Sequence, residues 1–148
     1  MRLFTTLPAL LLSLLLSTVS AHAEPPDPAL LHDEAAQSEF VQDKIREHFP
    51  NSYPVMLAIA YCETRARPFV HWEADGSLRP NAAGASTAGG TFQVLLGLHG
   101  PDIRARGLDM QDIDDYLTYV QYLHGRYADP YQDWNASRSC WEPRIASR

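Results

Sequence analysis

The stretch Val55-Met56-Leu57-Ala58-Ile59-Ala60-Tyr61-Cys62-Glu63-Thr64 decides how this 148-residue chain is read. No polar stripe interrupts it from Val55 to Cys62. A helix that is apolar all round belongs at the centre of a core. Ser52 or Tyr53 opens it, and Pro54 falls in its first turn, where a missing N–H costs nothing. Glu63-Thr64-Arg65, followed by Pro68, closes it. The helix therefore carries one acidic side chain, Glu63, to its C-terminal end.

Upstream, Val41, Ile45 and Phe49 recur four apart while Gln42, Asp43, Arg46 and Glu47 take the opposite side. That spacing predicts an amphipathic helix from Ser38 that stops at Pro50-Asn51. Downstream, Phe69 to Gly90 carries Trp72, Asp75-Gly76, Pro80, Asn81 and several glycines and suits loops with one short irregular hairpin about Asp75-Gly76. Helical periodicity returns briefly near Phe92–Leu98 and strongly over Met110–Tyr127. There Ile113, Tyr116, Leu117, Val120, Leu123 and Tyr127 make a wide apolar face, with Asp109 or Asp112 as the start and Gly125 loosening the end. The tail from Asp129 to Trp141 is short and aromatic and is expected to dock on the core. The expected fold is mainly α, with a small α+β element and a central buried helix ending at Glu63.

Arg2, the leucine run Leu10–Leu16 and the small-x-small site Ala21-His22-Ala23 read as a signal peptide over residues 1–23. The apolar run is too short to span a bilayer. An exported product, periplasmic or extracellular, is expected, with no membrane anchor after cleavage. Residues 24–36, with Pro25, Pro26 and Pro28, read as a flexible lead-in, and residues 37–148 as one domain. Net charge is −6, and loss of Arg2 makes the mature chain one unit more acidic. That balance argues against nucleic acid, which needs a concentrated positive face. It equally argues against capture of an anionic polymer by bulk charge, so that any such substrate is expected to be held by a local groove.

Cys62 and Cys140 both survive processing. Compartment and even count favour a disulfide; two buried free thiols are the other reading. His32, His48, His71, His99 and His124 show no ligand spacing, so neither a metal nor a cofactor is expected.

Burial and the negative end of a helix dipole both favour the protonated form of a carboxyl. A carboxylic acid held protonated is what a glycosidic oxygen needs as its leaving-group acid. Around Glu63 the chain sets further pieces in order. Cys62-Glu63-Thr64 runs on to Pro68-Phe69, then come Asp75-Gly76-Ser77 and Ala88-x-Gly90-x-x-Gln93. Leu117-x-Tyr119-x-x-Tyr122-Leu123 and Trp134-x-x-Ser137-x-x-Cys140-Trp141 complete the series. No single piece is specific, but the ordered set resembles the lytic transglycosylase family with the lysozyme-like fold, especially its small exported members. The resemblance spans roughly residues 53–141.

It implies that Glu63 is the sole catalytic carboxylate, acid first and base afterwards. It implies that Gln93 contacts the sugar near the scissile bond and that Gly90 lets backbone approach substrate closely. Thr64 keeps the hydroxyl of the family's usual serine. Tyr119 and Tyr122 line the groove floor or support Glu63, or else serve as core aromatics on an apolar helix face. The implied activity is cleavage of the β-1,4 MurNAc–GlcNAc bond of peptidoglycan glycan strands by a monomer, with a 1,6-anhydro product. Three departures touch the groove. Phe92 stands where methionine is common, Leu95 where asparagine is frequent, and no asparagine lies near Asp115–Tyr116.

Lysozyme-type hydrolysis is the rival chemistry. It wants a second carboxylate about 5–9 Å away, for which Glu73 and Asp75 are the candidates. A non-catalytic wall-binding or assembly protein on the same fold is the alternative from another class.

Overall fold

A computed structural model describes residues 33–65, 69–72, 78–80 and 88–146. The leader, the proline-rich stretch and the Glu73, Asp75-Gly76 positions lie outside the described residues. Helix α1 spans Glu34–His48 and α2 spans Tyr53–Thr64. Strands β1 (Phe69–Trp72) and β2 (Leu78–Pro80) pair antiparallel, with an irregular register between Phe69 and His71. Strands β3 (Ala88–Gly89) and β4 (Val94–Leu95) form a second antiparallel pair. Helices α3 (Leu96–Ala105) and α4 (Ile113–Gly125), a 3-10 turn (Gln132–Ser137) and α5 (Arg138–Ala146) complete the chain. The described part is mostly helical, as the apolar periodicities predict.

The helix starts follow side-chain chemistry. Asp33 caps α1 through Oδ1, which accepts from the amides of Ala35 (2.8 Å) and Ala36 (3.3 Å). The cap moves the helix start to Glu34, inside the stretch read from sequence as a lead-in to residue 36. Asp112, the second of the two predicted starts, caps α4 by accepting from Asp114 and Asp115 at 2.9 Å each. Helix α2 opens after Ser52 with Pro54 in its first turn. It closes on Arg65, which adopts a left-handed φ of 59°.

The core joins Val41 and Ile45 of α1, with Phe49 just past its end, to Met56, Ile59 and Ala60 of α2 and to Tyr116, Leu117, Val120 and Leu123 of α4. Phe92, Trp134 and Trp141 close it. The tail docks as expected: the Trp134 indole donates to Phe92 O (3.0 Å) and the Trp141 indole to Trp134 O (3.1 Å). Cys62 and Cys140 are joined in a disulfide with Cα atoms 6.0 Å apart, tying the last turn of α2 to α5. Lys44 and His48 of α1 both hold Asp114 of α4, at 3.0 and 2.9 Å.

Three expectations are corrected. Helix α2 is not buried all round, because Tyr61 keeps 46% of its surface exposed under the guanidinium of Arg144. The helical periodicity assigned to Phe92–Leu98 belongs to two elements. Gln93 sits in a turn at φ 49°, Val94–Leu95 is a strand, and the helix begins only at Leu96. Tyr127, placed on the apolar face of α4, lies beyond the helix end and is 41% exposed. Among the described residues no helix is long and apolar enough to cross a membrane.

Candidate active site

Glu63 occupies the last turn of α2, half-buried rather than sealed in the core. Three constraints hold that turn. The Thr64 hydroxyl lies 3.3 Å from both Ala60 O, one turn back, and Thr91 O, in the loop between β3 and β4. The disulfide at Cys62 fixes the preceding residue. The amide of Arg65 bonds Tyr61 O at 2.8 Å and completes the left-handed cap. A carboxylate on a helix end is normally the most frayed part of a helix. Here the end is fastened to a hairpin on one side and to α5 on the other.

The hairpin is organised by Tyr116, a fully buried residue of α4. Its hydroxyl donates to Gly89 O (3.1 Å) and accepts from the Phe92 amide (2.9 Å). Burial pushes this phenol well above its ordinary range, and the nearby Glu63 carboxylate pushes the same way, against hydrogen bonds from the Phe92 and Val94 backbone. Tyr116 thus stands neutral within the core, its hydroxyl engaged by the hairpin backbone. The sequence marked it only as one more apolar-face residue. Nothing local to residues 113–120 signals a partner more than twenty positions upstream.

Gly90 adopts φ +71° and is buried against the Tyr116 ring. The close approach that demands a glycine is therefore made by that ring. Gln93 turns its side-chain amide back onto Gly90 O (3.0 Å), while its own backbone N–H bonds the same oxygen at 3.1 Å. Glu63, Thr64, Gly90 and Gln93 thus gather where α2 meets the β3–β4 hairpin. Tyr119 and Tyr122 make their contacts along α3. The Tyr119 ring is buried and its hydroxyl donates to Asp102 (3.2 Å), with the His99 ring 5.7 Å away. Tyr119 fits the core-aromatic alternative. Tyr122 is 37% exposed and lies under Arg106, whose guanidinium carbon sits 3.6 Å from the ring centre.

No family model, curated protein or solved structure matches this chain. Among the described residues no cluster of three or more His, Cys, Asp or Glu side chains gathers as a metal site would. Glu63 offers a carboxyl that is partly open, on a helix end that is fastened on two sides. Such a group can give a proton to a bound oxygen and take one back.

Proposed function

We propose that this chain is an exported peptidoglycan lytic transglycosylase with a lysozyme-like fold, using Glu63 as its single acid and base. The observation that carries the reading is the mounting of Glu63. A half-open carboxyl ends a core helix and is braced by Thr64 to Thr91 and by the Cys62–Cys140 disulfide. A general acid needs that fixity, because small misplacement of a catalytic group costs orders of magnitude in rate. The ordered motifs from Cys62-Glu63-Thr64 to Ser137-x-x-Cys140-Trp141 support the same reading.

In this scheme Glu63 protonates the glycosidic oxygen as the bond from MurNAc C1 to the GlcNAc oxygen breaks. The C6 hydroxyl of the same MurNAc then bonds to C1, and Glu63 takes its proton. No water is consumed, and the product ends in a 1,6-anhydro ring. Gln93 is assigned to the sugar near the scissile bond through its amide oxygen, its nitrogen being bonded to Gly90 O.

That inward bond also favours a second reading, a wall-binding protein without catalysis, since it draws the glutamine back onto its own turn. Mass spectrometry of products from purified peptidoglycan separates the possibilities. Anhydro ends, about 18 Da lighter than hydrolysed ones through the missing water, support the proposal. Reducing ends point to hydrolysis with Glu73 or Asp75 as second carboxylate. Wall binding without products points to the non-catalytic reading.

A further inference from the structure

Strands β3 and β4 are two residues long each. A ladder that short does not hold its own shape, so the turn between the strands takes its conformation from whatever grips it. Gln93, at the end of that turn, sits at φ 49°, a left-handed backbone that disfavours any residue with a side chain. Such conformations persist where the surroundings impose them, and they gather at functional sites.

Side chains from three other elements grip the turn. Thr64 of α2 holds Thr91 O at 3.3 Å, and the Trp134 indole of the 3-10 turn holds Phe92 O at 3.0 Å. Tyr116 of α4 takes both sides of the turn at once. Its hydroxyl donates to Gly89 O and accepts from the Phe92 amide, and its ring lies against Gly90. Leu117 and Val120, beside it on the buried face of α4, are aliphatic. Packing at such a position asks for no hydroxyl, and a buried hydroxyl costs free energy unless it is bonded. The oxygen of Tyr116 therefore acts on the hairpin.

Gly90 O, between the two groups that Tyr116 holds, accepts from the backbone and the side-chain amides of Gln93. The same turn reaches α2 through Thr91 and Thr64, the residue that follows Glu63. One hydroxyl thus governs where Gln93 stands and how the turn meets the helix end that carries Glu63. We infer that Tyr116 is a positioning residue for glycan cleavage, fixing the spacing of Gln93 and Glu63 through the 89–93 turn without touching substrate. The inference rests on the reading of Glu63 as acid and base.

The test compares wild type, Tyr116→Phe, Thr64→Val and the double variant on soluble glycan strands of alternating GlcNAc and MurNAc, counting anhydro ends. Tyr116→Phe keeps the ring against Gly90 and removes only the hydroxyl. Its kcat should fall about tenfold or more with KM within about twofold, at a temperature where near-ultraviolet circular dichroism shows it folded. A hydroxyl that served stability alone would lower the unfolding midpoint and leave kcat of the folded enzyme unchanged. Thr64→Val cuts the same connection at its α2 end and should lower kcat in the same way. The double variant should lose little more than either single one, because both break one connection. Should Tyr116→Phe fail to fold, Thr64→Val carries the test alone. Wild-type kcat in folded Tyr116→Phe or in Thr64→Val overturns the inference and leaves the Glu63 reading standing. So does a change confined to KM, or losses that multiply in the double variant. A wild type that releases no product overturns the Glu63 reading and this inference with it.

Discussion

The ring of Tyr116 fills the space that a side chain at position 90 would need: a Cβ built on Gly90 would lie 2.4 Å from its Cζ atom. Residue 90 also holds φ +71°, which disfavours any L side chain. Gly90→Ala is therefore expected to cost about 2–4 kcal/mol, combining backbone strain with overpacking against a ring that cannot yield. Urea unfolding of the two proteins measures it. A loss below about 0.5 kcal/mol would mean that the ring moves freely.

Glu63→Gln keeps shape and hydrogen bonding while removing the titrating proton. Glycan cleavage should fall by about a hundredfold to ten-thousandfold or more, with the unfolding midpoint and wall binding preserved. Assays of dye-labelled peptidoglycan read the rate. Full activity in this variant sinks the central proposal.

Removing the disulfide with Cys62→Ala and Cys140→Ala releases a cross-link spanning 78 residues. In the chain-entropy model a loop of this length contributes about 4 kcal/mol. Amide exchange should quicken first at Cys62 to Arg65, where α2 loses its tie to α5. An unchanged thermal midpoint would contradict the structural role assigned to this bond.

Tyrosine ionisation supplies a pH test. Burial, reinforced by the hydrogen bond to Asp102 and by its charge, pushes Tyr119 up to about 12, and Tyr116 lies higher still. Both phenols favour the neutral form in the fold. Their stabilising contribution is thus fully present below the ordinary tyrosine value of about 10. It is lost as pH rises through the folded value of about 12 for Tyr119. Ultraviolet titration should show a delayed step whose amplitude Tyr119→Phe reduces. Ionisation of every tyrosine near pH 10 in the folded protein would disprove this account.

Much of the helical frame is legible along the chain. The composition of Val55–Cys62 marks α2 as a core helix, although it does not reveal that Tyr61 faces outward, and the periodicity of Ile113–Leu123 names the face of α4 that is buried. The hairpin opposite Glu63 is not legible in the same way. Its turn depends on left-handed backbone at Gly90 and Gln93, and only the first is a residue that advertises it. The start of α3 is displaced for the same reason, since Val94 and Leu95 look helical until strand β3 is there to pair with them. Tyr119 and Tyr122, three apart on one helix, differ because one reaches Asp102 within the packing and the other stands at its rim under Arg106. Those distinctions rest on contacts from α3, which no spacing within α4 encodes.

The docked tail has a consequence for how the molecule comes into being. Trp134 closes onto Phe92, Trp141 onto Trp134, and Cys62 waits for Cys140. A nascent chain that has emerged only as far as α4 holds an unroofed core and an unpaired thiol. It cannot commit to its final shape until nearly the last turn has been made. The core is therefore roofed only by the last segment of the chain, and a stop codon before residue 134 should yield a chain that proteases clear rather than a shorter working protein.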